Sequence, residues 1–250
     1  MGTLNKRNII IIAALLLSVT IAIELYSYYV NPFIDYKPTG LSLITTEVLK
    51  FNYIKDGTLI GLFEYQIAAD ASGTSRLYTI NSTSEVVFEE KHLVVNSTYR
   101  ISDTVEPMSY TVDADLGGDK SYTRCVFTEG KTTITRTRNN SVRSDDIVTP
   151  ASFVVMDNNN PAHWEILLKS FKAEPGNKYR INALIPQAGV IYTLEVGIDS
   201  SPQSINIGSK IFQCLVVREL NLELVLYFYQ GSLLQYKNNQ DNIVIVKSFS

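Results

Sequence analysis

Apolar and polar residues alternate along most of the chain beyond its first 45 positions. In "EVLKFNYIKDGTLIGLFEYQIAA" the alternation runs on both sides of Asp56-Gly57. An Asp-Gly pair between two alternating runs predicts a β-hairpin, because both turn residues must take positive φ. "SYTRCVFTEGKTTITRTR" repeats the arrangement around Glu129-Gly130, and "LELVLYFYQGSLLQYKN" repeats it around Gln230-Gly231. Gly117-Gly118 in "DADLGGD" marks a further turn. More strands are predicted over 77–80, 85–88, 93–101, 108–114, 152–156, 179–185, 191–198, 211–220 and 242–248. The polar stretch 139–149, "NNSVRSDDIVT", is expected to be a loop. Many strands joined by tight turns predict an antiparallel sheet, sandwich or barrel. In "LVLYFYQG", Leu224, Leu226 and Phe228 fall on one face, and Val225, Tyr227 and Tyr229 on the other. A strand apolar on both faces is covered on both. "TTITRTR" is polar by contrast and must meet water on one side at least. The sheet is therefore expected to be long and curved.

One stretch breaks the period of two. In "VVMDNNNPAHWEILLKSF", Asn160 suits an N-cap and Pro161 the first helical position, where its missing N–H costs nothing. Trp164, Leu167, Leu168 and Phe171 then recur at helical spacing and form one apolar face. Glu165 and Lys169 form an i, i+4 pair on another face. Pro175-Gly176 ends the pattern. A helix of about three turns is not stable alone. It is expected to lie across the concave face of the sheet with Trp164 buried. Its apolar face is either core or one wall of a pocket between helix and sheet. On the second reading Trp164, Leu167, Leu168 and Phe171, with Tyr227 and Tyr229, are the candidate ligand-binding residues.

The N-terminus follows a third pattern. In "NKRNIIIIAALLLSVTIAIELYSYYV", Lys6 and Arg7 precede an uncharged run to Ile23, followed by Glu24 and a tyrosine-rich segment ending at Val30. About 20 apolar residues span a bilayer. The run reaches that length if the helix continues past Glu24. A cleaved signal peptide is the alternative, but no small-x-small cleavage site follows the apolar core. The organisation expected is an N-terminus and transmembrane anchor over 1–30, a linker over 31–45 and one β domain over 46–250. The positive flank places the N-terminus in the cytoplasm and the domain outside the cell membrane.

Composition adds limits. The net charge of -3 lacks the basic face that nucleic acid requires. Asn81, Asn96 and Asn139 begin N-x-Ser/Thr sequons, the candidate glycosylation sites of an exported chain. Cys125 and Cys214 are a candidate disulfide outside the cell; the alternative is two buried thiols. His92 and His163 stand apart, with no Cys/His cluster and no metal-ligand spacing. Asp113, Asp115 and Asp119 resemble a calcium loop only in part, because the later acidic ligand is missing. No nucleophile elbow or phosphate loop occurs. The expectation is a protein without catalytic residues, metal or cofactor.

The strand order from "SRLYTINSTSEVVFEEKHLVVNSTYRISDTVEPMSYTV" through "CVFTEGKTTITRT", "FVVMDNNNPAHWEILLKSF", "INALIPQ" and "YTLEVG" resembles a group of exported domains of unknown function. These are similar to lipoprotein-carrier-like half-barrels. The resemblance covers roughly residues 46–250. It implies a mainly β fold in which a curved antiparallel sheet wraps around one amphipathic helix. It also implies a binding module for lipid or another apolar solute, with no catalytic residues to carry over. The chain lacks the N-terminal lipidation cysteine and keeps an anchor, which does not suit a shuttling carrier. Two functions follow: an anchored extracytoplasmic binding or accessory module, or an interaction subunit that meets an envelope protein through a sheet edge or face.

Overall fold

The computed structural model describes residues 17–19, 32–70, 76–88, 90–139, 141–157 and 160–249. The chain divides into two units, Met1–Ile34 and Asp35–Ser250. In the first, Leu17, Ser18 and Val19 are helical, and the rest of the anchor segment read from the sequence lies outside the described residues. Among the described residues no helix is long and apolar enough to cross a membrane. Strand β1 (Phe33–Asp35) straddles the boundary between the units.

The second unit is one rolled antiparallel sheet around a single helix. Eight strands pair in chain order: β2 (Leu49–Lys55), β3 (Thr58–Asp70), β4 (Leu77–Phe88), β5 (Lys91–Ser102), β6 (Pro107–Leu116), β7 (Asp119–Thr128), β8 (Lys131–Arg138) and β9 (Ser141–Val148). The chain then enters β10 (Val154–Val155) and the helix α1 (Pro161–Lys169). A second run follows: β11 (Lys178–Ile185), β12 (Val190–Ile198), β13 (Gln203–Ile207), β14 (Lys210–Glu219), β15 (Leu224–Tyr229), β16 (Ser232–Asn238) and β17 (Ile243–Lys247). β10 lies parallel to β11, and β12 pairs directly with the second half of β14. β13 is a flap on the first half of β14. The last strand, β17, pairs antiparallel with β2 and joins the two runs into one sheet.

The turns follow from the residues that permit them. Asp56 and Gly57 take φ of 48° and 78°, and Gln230 and Gly231 take 51° and 76°. These positive values match the twist of two-residue hairpins. The stretch 139–149, expected as a loop, contains β9, which pairs with β8 from Arg138↔Ser141 to Lys131↔Val148. Every side chain of β9 is at least partly exposed, so no alternation betrays it. Polar side chains reinforce its ladder: Lys131 and Thr133 of β8 donate to Asp146, and Arg136 donates to Asp145.

The helix is buried more completely than an amphipathic face requires. Asn160 caps it, accepting from the Ala162 N–H at 3.2 Å. Every residue from Pro161 to Leu167 is buried, Trp164 included. The i, i+4 pair expected between Glu165 and Lys169 forms, and Glu165 is 1% exposed. Its carboxylate accepts from the Tyr65 hydroxyl, from the Leu233 N–H at 3.0 Å and from the Lys169 ammonium. Three donors let a buried carboxylate replace its water. The linker expected over 31–45 is also corrected in part. Tyr36, Leu41 and Leu43 belong to the core, and the Tyr36 ring packs edge-on against Phe171. Leu224, Leu226 and Phe228 join the main core, while Val225 and Tyr227 join a second cluster with Cys214, Val216 and Leu234. β15 is thus covered on both faces, as its sequence predicts. The helix side supplies one cover, and Ile205, Ile207 and Phe212 of the β13–β14 flap supply the other.

Candidate functional site

The inward side chains of β4 to β7 change size along the strands. Along β4 they read Tyr78, Ile80, Ser82, Ser84, Val86. Their partners on β5 are Ile101, Tyr99, Ser97, Val95 and Leu93. On β6 the neighbours of Tyr99, Ser97 and Val95 are Tyr110, Val112 and Ala114. On β7 these meet Cys125, Thr123 and Ser121. One end of the strands therefore carries large rings and isoleucines, and the other carries serine, threonine, alanine and valine, with Leu93 at its far edge. At the large end Tyr78, Tyr99 and Tyr110 are fully packed. At the small end the side chains do not reach the helix, and a cavity of about 380 Å³ opens beside its N-terminus. Phe63, Val86, Leu93, Val95 and Val112 make its apolar wall. Serines, Thr123, Asn160, Asp157 and Gln187 supply polar points. Such a volume and mixture lies in the ordinary range of small-ligand sites.

The polar points are held in place. The Asn160 amide donates to the Ser82 hydroxyl at 2.7 Å and the Ser97 hydroxyl at 3.0 Å, while those hydroxyls bond each other at 2.7 Å. One side chain thus caps the helix and fastens it to β4 and β5 at the level where large inward residues give way to small ones. Asp157 accepts from the Tyr110 hydroxyl at 2.5 Å. Burial, then the Asp157 charge, raises the Tyr110 pKa, so this hydroxyl stays a donor. Gln187 enters from the β11–β12 turn. Arg136 of β8 grips that turn, donating from Nη2 to the Pro186 carbonyl at 2.7 Å and from Nη1 to Asp145 at 2.8 Å. Gly189 leaves room for the guanidinium, since a Cβ there would lie 2.2 Å from Arg136 Nη2.

A second cavity, about 240 Å³, shares Asp157 with the first. Trp164, Tyr236, Leu194, Leu224 and Asp241 are among its walls. Burial pushes Tyr53 up to about 12, helped by the Asp241 charge. Burial, with Tyr53, Asp241 and Asp157, raises Tyr236 as well. Both phenols remain protonated near neutral pH. A wider groove of about 650 Å³ is lined by Tyr36, Pro38 and the turn and strand-end residues 104–108, 127–130 and 149–153. It lacks the continuous strand wall of the first cavity.

The residues singled out from sequence separate. Trp164 lines the second cavity. Leu167 touches only a void of about 10 Å³ in the core, and Leu168 packs half-buried. Phe171 stacks edge-on with Tyr179 in the core. Tyr227 and Tyr229 lie on the opposite face of β15, the first under the Lys237 ammonium and the second against Phe212. The disulfide reading is corrected: Cys125 and Cys214 are both free and buried. They belong to separate clusters on opposite faces of the sheet. Burial raises both thiols, Cys125 to about 12, which keeps them poor nucleophiles. The sequon residues Asn81 and Asn96 sit opposite Thr98 and Thr83 on β4 and β5, and each amide oxygen accepts from that threonine, at 3.0 and 2.9 Å. Asn139 is exposed at the β8–β9 turn. His163, read as an isolated polar residue, is buried between Tyr99 and Tyr110, with ring centroids 5.0 and 5.7 Å away. Among the described residues no three His, Cys, Asp or Glu side chains converge as a metal site requires. The cavity wall was missed by sequence reasoning, although the signal existed. Reading every second residue of "YTINSTSEV" gives Tyr, Ile, Ser, Ser, Val.

These features define a β-barrel-like domain with a helix at its centre and a cavity at one end. No family model and no curated protein matches the chain. Among solved structures it is similar to the crystal structure of a β-barrel-like protein of domain of unknown function DUF1849 from Brucella abortus. The TM-score is 0.50 at 10% identity, over 80% of this chain and 94% of that one. The likeness supports a β-barrel-like fold and does not single out the lipoprotein-carrier half-barrels.

Proposed function

We propose that this chain is a non-catalytic binding module that holds an apolar or amphipathic ligand in the cavity beside the N-terminus of α1. The observation that carries the reading is the graded filling of β4 to β7. Large inward residues stop at Asn160, and beyond it one wall is apolar while the polar groups are fixed by hydrogen bonds. A protein that needed only stability gains by filling such a space. The N-terminal apolar run supports an anchored, extracytoplasmic setting for the module. The test uses the full-length chain in a non-ionic amphipathic polymer and the neutral dye N-phenyl-1-naphthylamine. Saturable enhancement of dye fluorescence, lost on filling the cavity with Ala114→Leu, is expected. Absence of saturable binding by the folded protein overturns the reading. One observation favours an interaction subunit instead: β9 is an edge strand with exposed side chains, Val142 at 66% and Val148 at 84%. That reading gains if the dye fails and proline substitutions in β9 remove a partner.

A further inference from the structure

Resting on that binding reading, we infer that the ligand is an amphiphile with an ammonium head, and that carboxylate-headed lipids of the same tail are disfavoured. Asp157 lines both cavities. The first offers an apolar wall for a tail; the second offers Trp164 and Tyr236. The charged residues among the described linings of both are Asp157 and Asp241, and neither cavity is lined by a described Lys or Arg. Asp157 is 8% exposed, while Asp241 sits at the exposed rim, held by the Asn238 amide at 2.8 Å. The field in this space therefore has one sign.

A carboxylate head placed beside Asp157 meets a like charge where water screens poorly. It must shed its own hydration and finds no cation in exchange. An ammonium head is drawn to both carboxylates. The Trp164 and Tyr236 rings are also in the wall of this space, and an aromatic ring attracts a cation placed over it, indole most of all. A neutral alcohol neither gains the attraction nor meets the repulsion, so it ranks between the two. The head lies beside Asp157 and Trp164, and the tail runs along Phe63, Val86, Leu93, Val95 and Val112.

Trp164 is the single tryptophan, so its emission reports on this space directly. The experiment titrates the full-length chain, held in a non-ionic amphipathic polymer without tryptophan, with octyltrimethylammonium, octanol and octanoate below their aggregation concentrations. A saturable change in Trp164 emission is expected at a concentration at least tenfold lower for octyltrimethylammonium than for octanoate, with octanol between. Asp157→Asn and Asp241→Asn are each expected to shrink that ratio several-fold. Asp241→Asn, at the exposed rim, keeps the test open if Asp157→Asn does not fold. Equal or tighter binding of octanoate overturns the head-group inference and leaves the cavity reading standing. A ratio untouched by either substitution overturns the assignment to these carboxylates. If none of the three compounds changes the emission, the binding reading itself fails.

Discussion

The two ends of β4 to β7 share one backbone ladder and differ in their inward side chains. At the filled end Tyr99 and Tyr110 pack on His163 of the helix, and Tyr78 meets the incoming segment at Leu41, whose carbonyl accepts from its hydroxyl at 3.1 Å. At the hollow end the same strands present Ser84, Val95, Ala114 and Ser121 to empty space. The register is continuous through both, with Tyr78↔Ile101 and Val86↔Leu93 belonging to a single ladder. Backbone pairing therefore does not require filling. Each buried tyrosine removes a large apolar area from water, whereas a serine removes almost none. Stability is concentrated at one end, and the other keeps an open cavity.

The largest effect should come from emptying the filled end. Tyr78→Ala removes a fully buried ring and its hydrogen bond, and is expected to lower unfolding free energy by about 3–5 kcal/mol. Urea denaturation followed by Trp164 emission measures it. A loss below 1 kcal/mol would show that this end also tolerates voids. Overfilling elsewhere in the packed core should hurt less but clearly. Ala183 on β11 is fully buried, so Ala183→Leu is expected to cost about 1–3 kcal/mol in the same assay.

Much of this division was legible in the chain, and some of it was not. The hairpins were readable because Asp-Gly and Gln-Gly carry their own backbone requirement. Asn160-Pro161 was readable for the same reason: a cap is a local device. β9 was not, because its half-covered face reads Ser141, Arg143, Asp145, Ile147, and one apolar residue makes no hydrophobic period. The Glu165–Lys169 pair was readable from its spacing, but the burial of Glu165 was not, because its remaining donors, Tyr65 and Leu233, are distant in sequence. Tyr36 to Leu43 looked like linker because Pro38 and Gly40 dominate its pattern, yet its apolar residues plug the filled end. The hollow end lay in plain view as serine at alternate positions. Alternation was read for polarity and not for size.

The junction between the two ends is Asn160. Asn160→Ala removes the cap on Ala162 and leaves the Ser82 and Ser97 hydroxyls to pair only with each other. A loss of about 1–2 kcal/mol is expected by denaturation. Asn160→Asp should keep the cap and lose the two donated bonds, and a smaller loss would separate the two roles.

His163, buried against the filled side of that junction, gives the comparison a pH dependence. Its Nδ1–H donates to the Val155 carbonyl at 2.8 Å. Burial lowers its pKa below the usual 6.5, and the charge of Asp157 opposes this only in part. The folded state therefore prefers neutral imidazole. Stability from this group is fully present above the unfolded pKa and falls as pH drops below it, by up to about 1.4 kcal/mol per pH unit. From pH 6.5 to 5.5 a loss of about 1 kcal/mol is expected beyond that of His163→Phe. Parallel pH profiles for the two proteins would remove His163 from the account.

The smallest change in stability should come from the hollow end. Ala114 faces the cavity on β6, between Val95 of β5 and Ser121 of β7. Ala114→Leu extends three heavy atoms into space that no side chain occupies, where Ala183→Leu extends the same atoms into packed neighbours. Overpacking strain is absent at the first site, and the added apolar surface lies beside Val95 and Val112. A change within about 0.5 kcal/mol is expected by urea denaturation, with dye binding abolished. The contrast rests on the pair: identical substitutions, opposite consequences for stability and for binding. A destabilisation of Ala114→Leu equal to that of Ala183→Leu would mean that the cavity closes in solution. The size gradient along β4 to β7 would then describe packing alone.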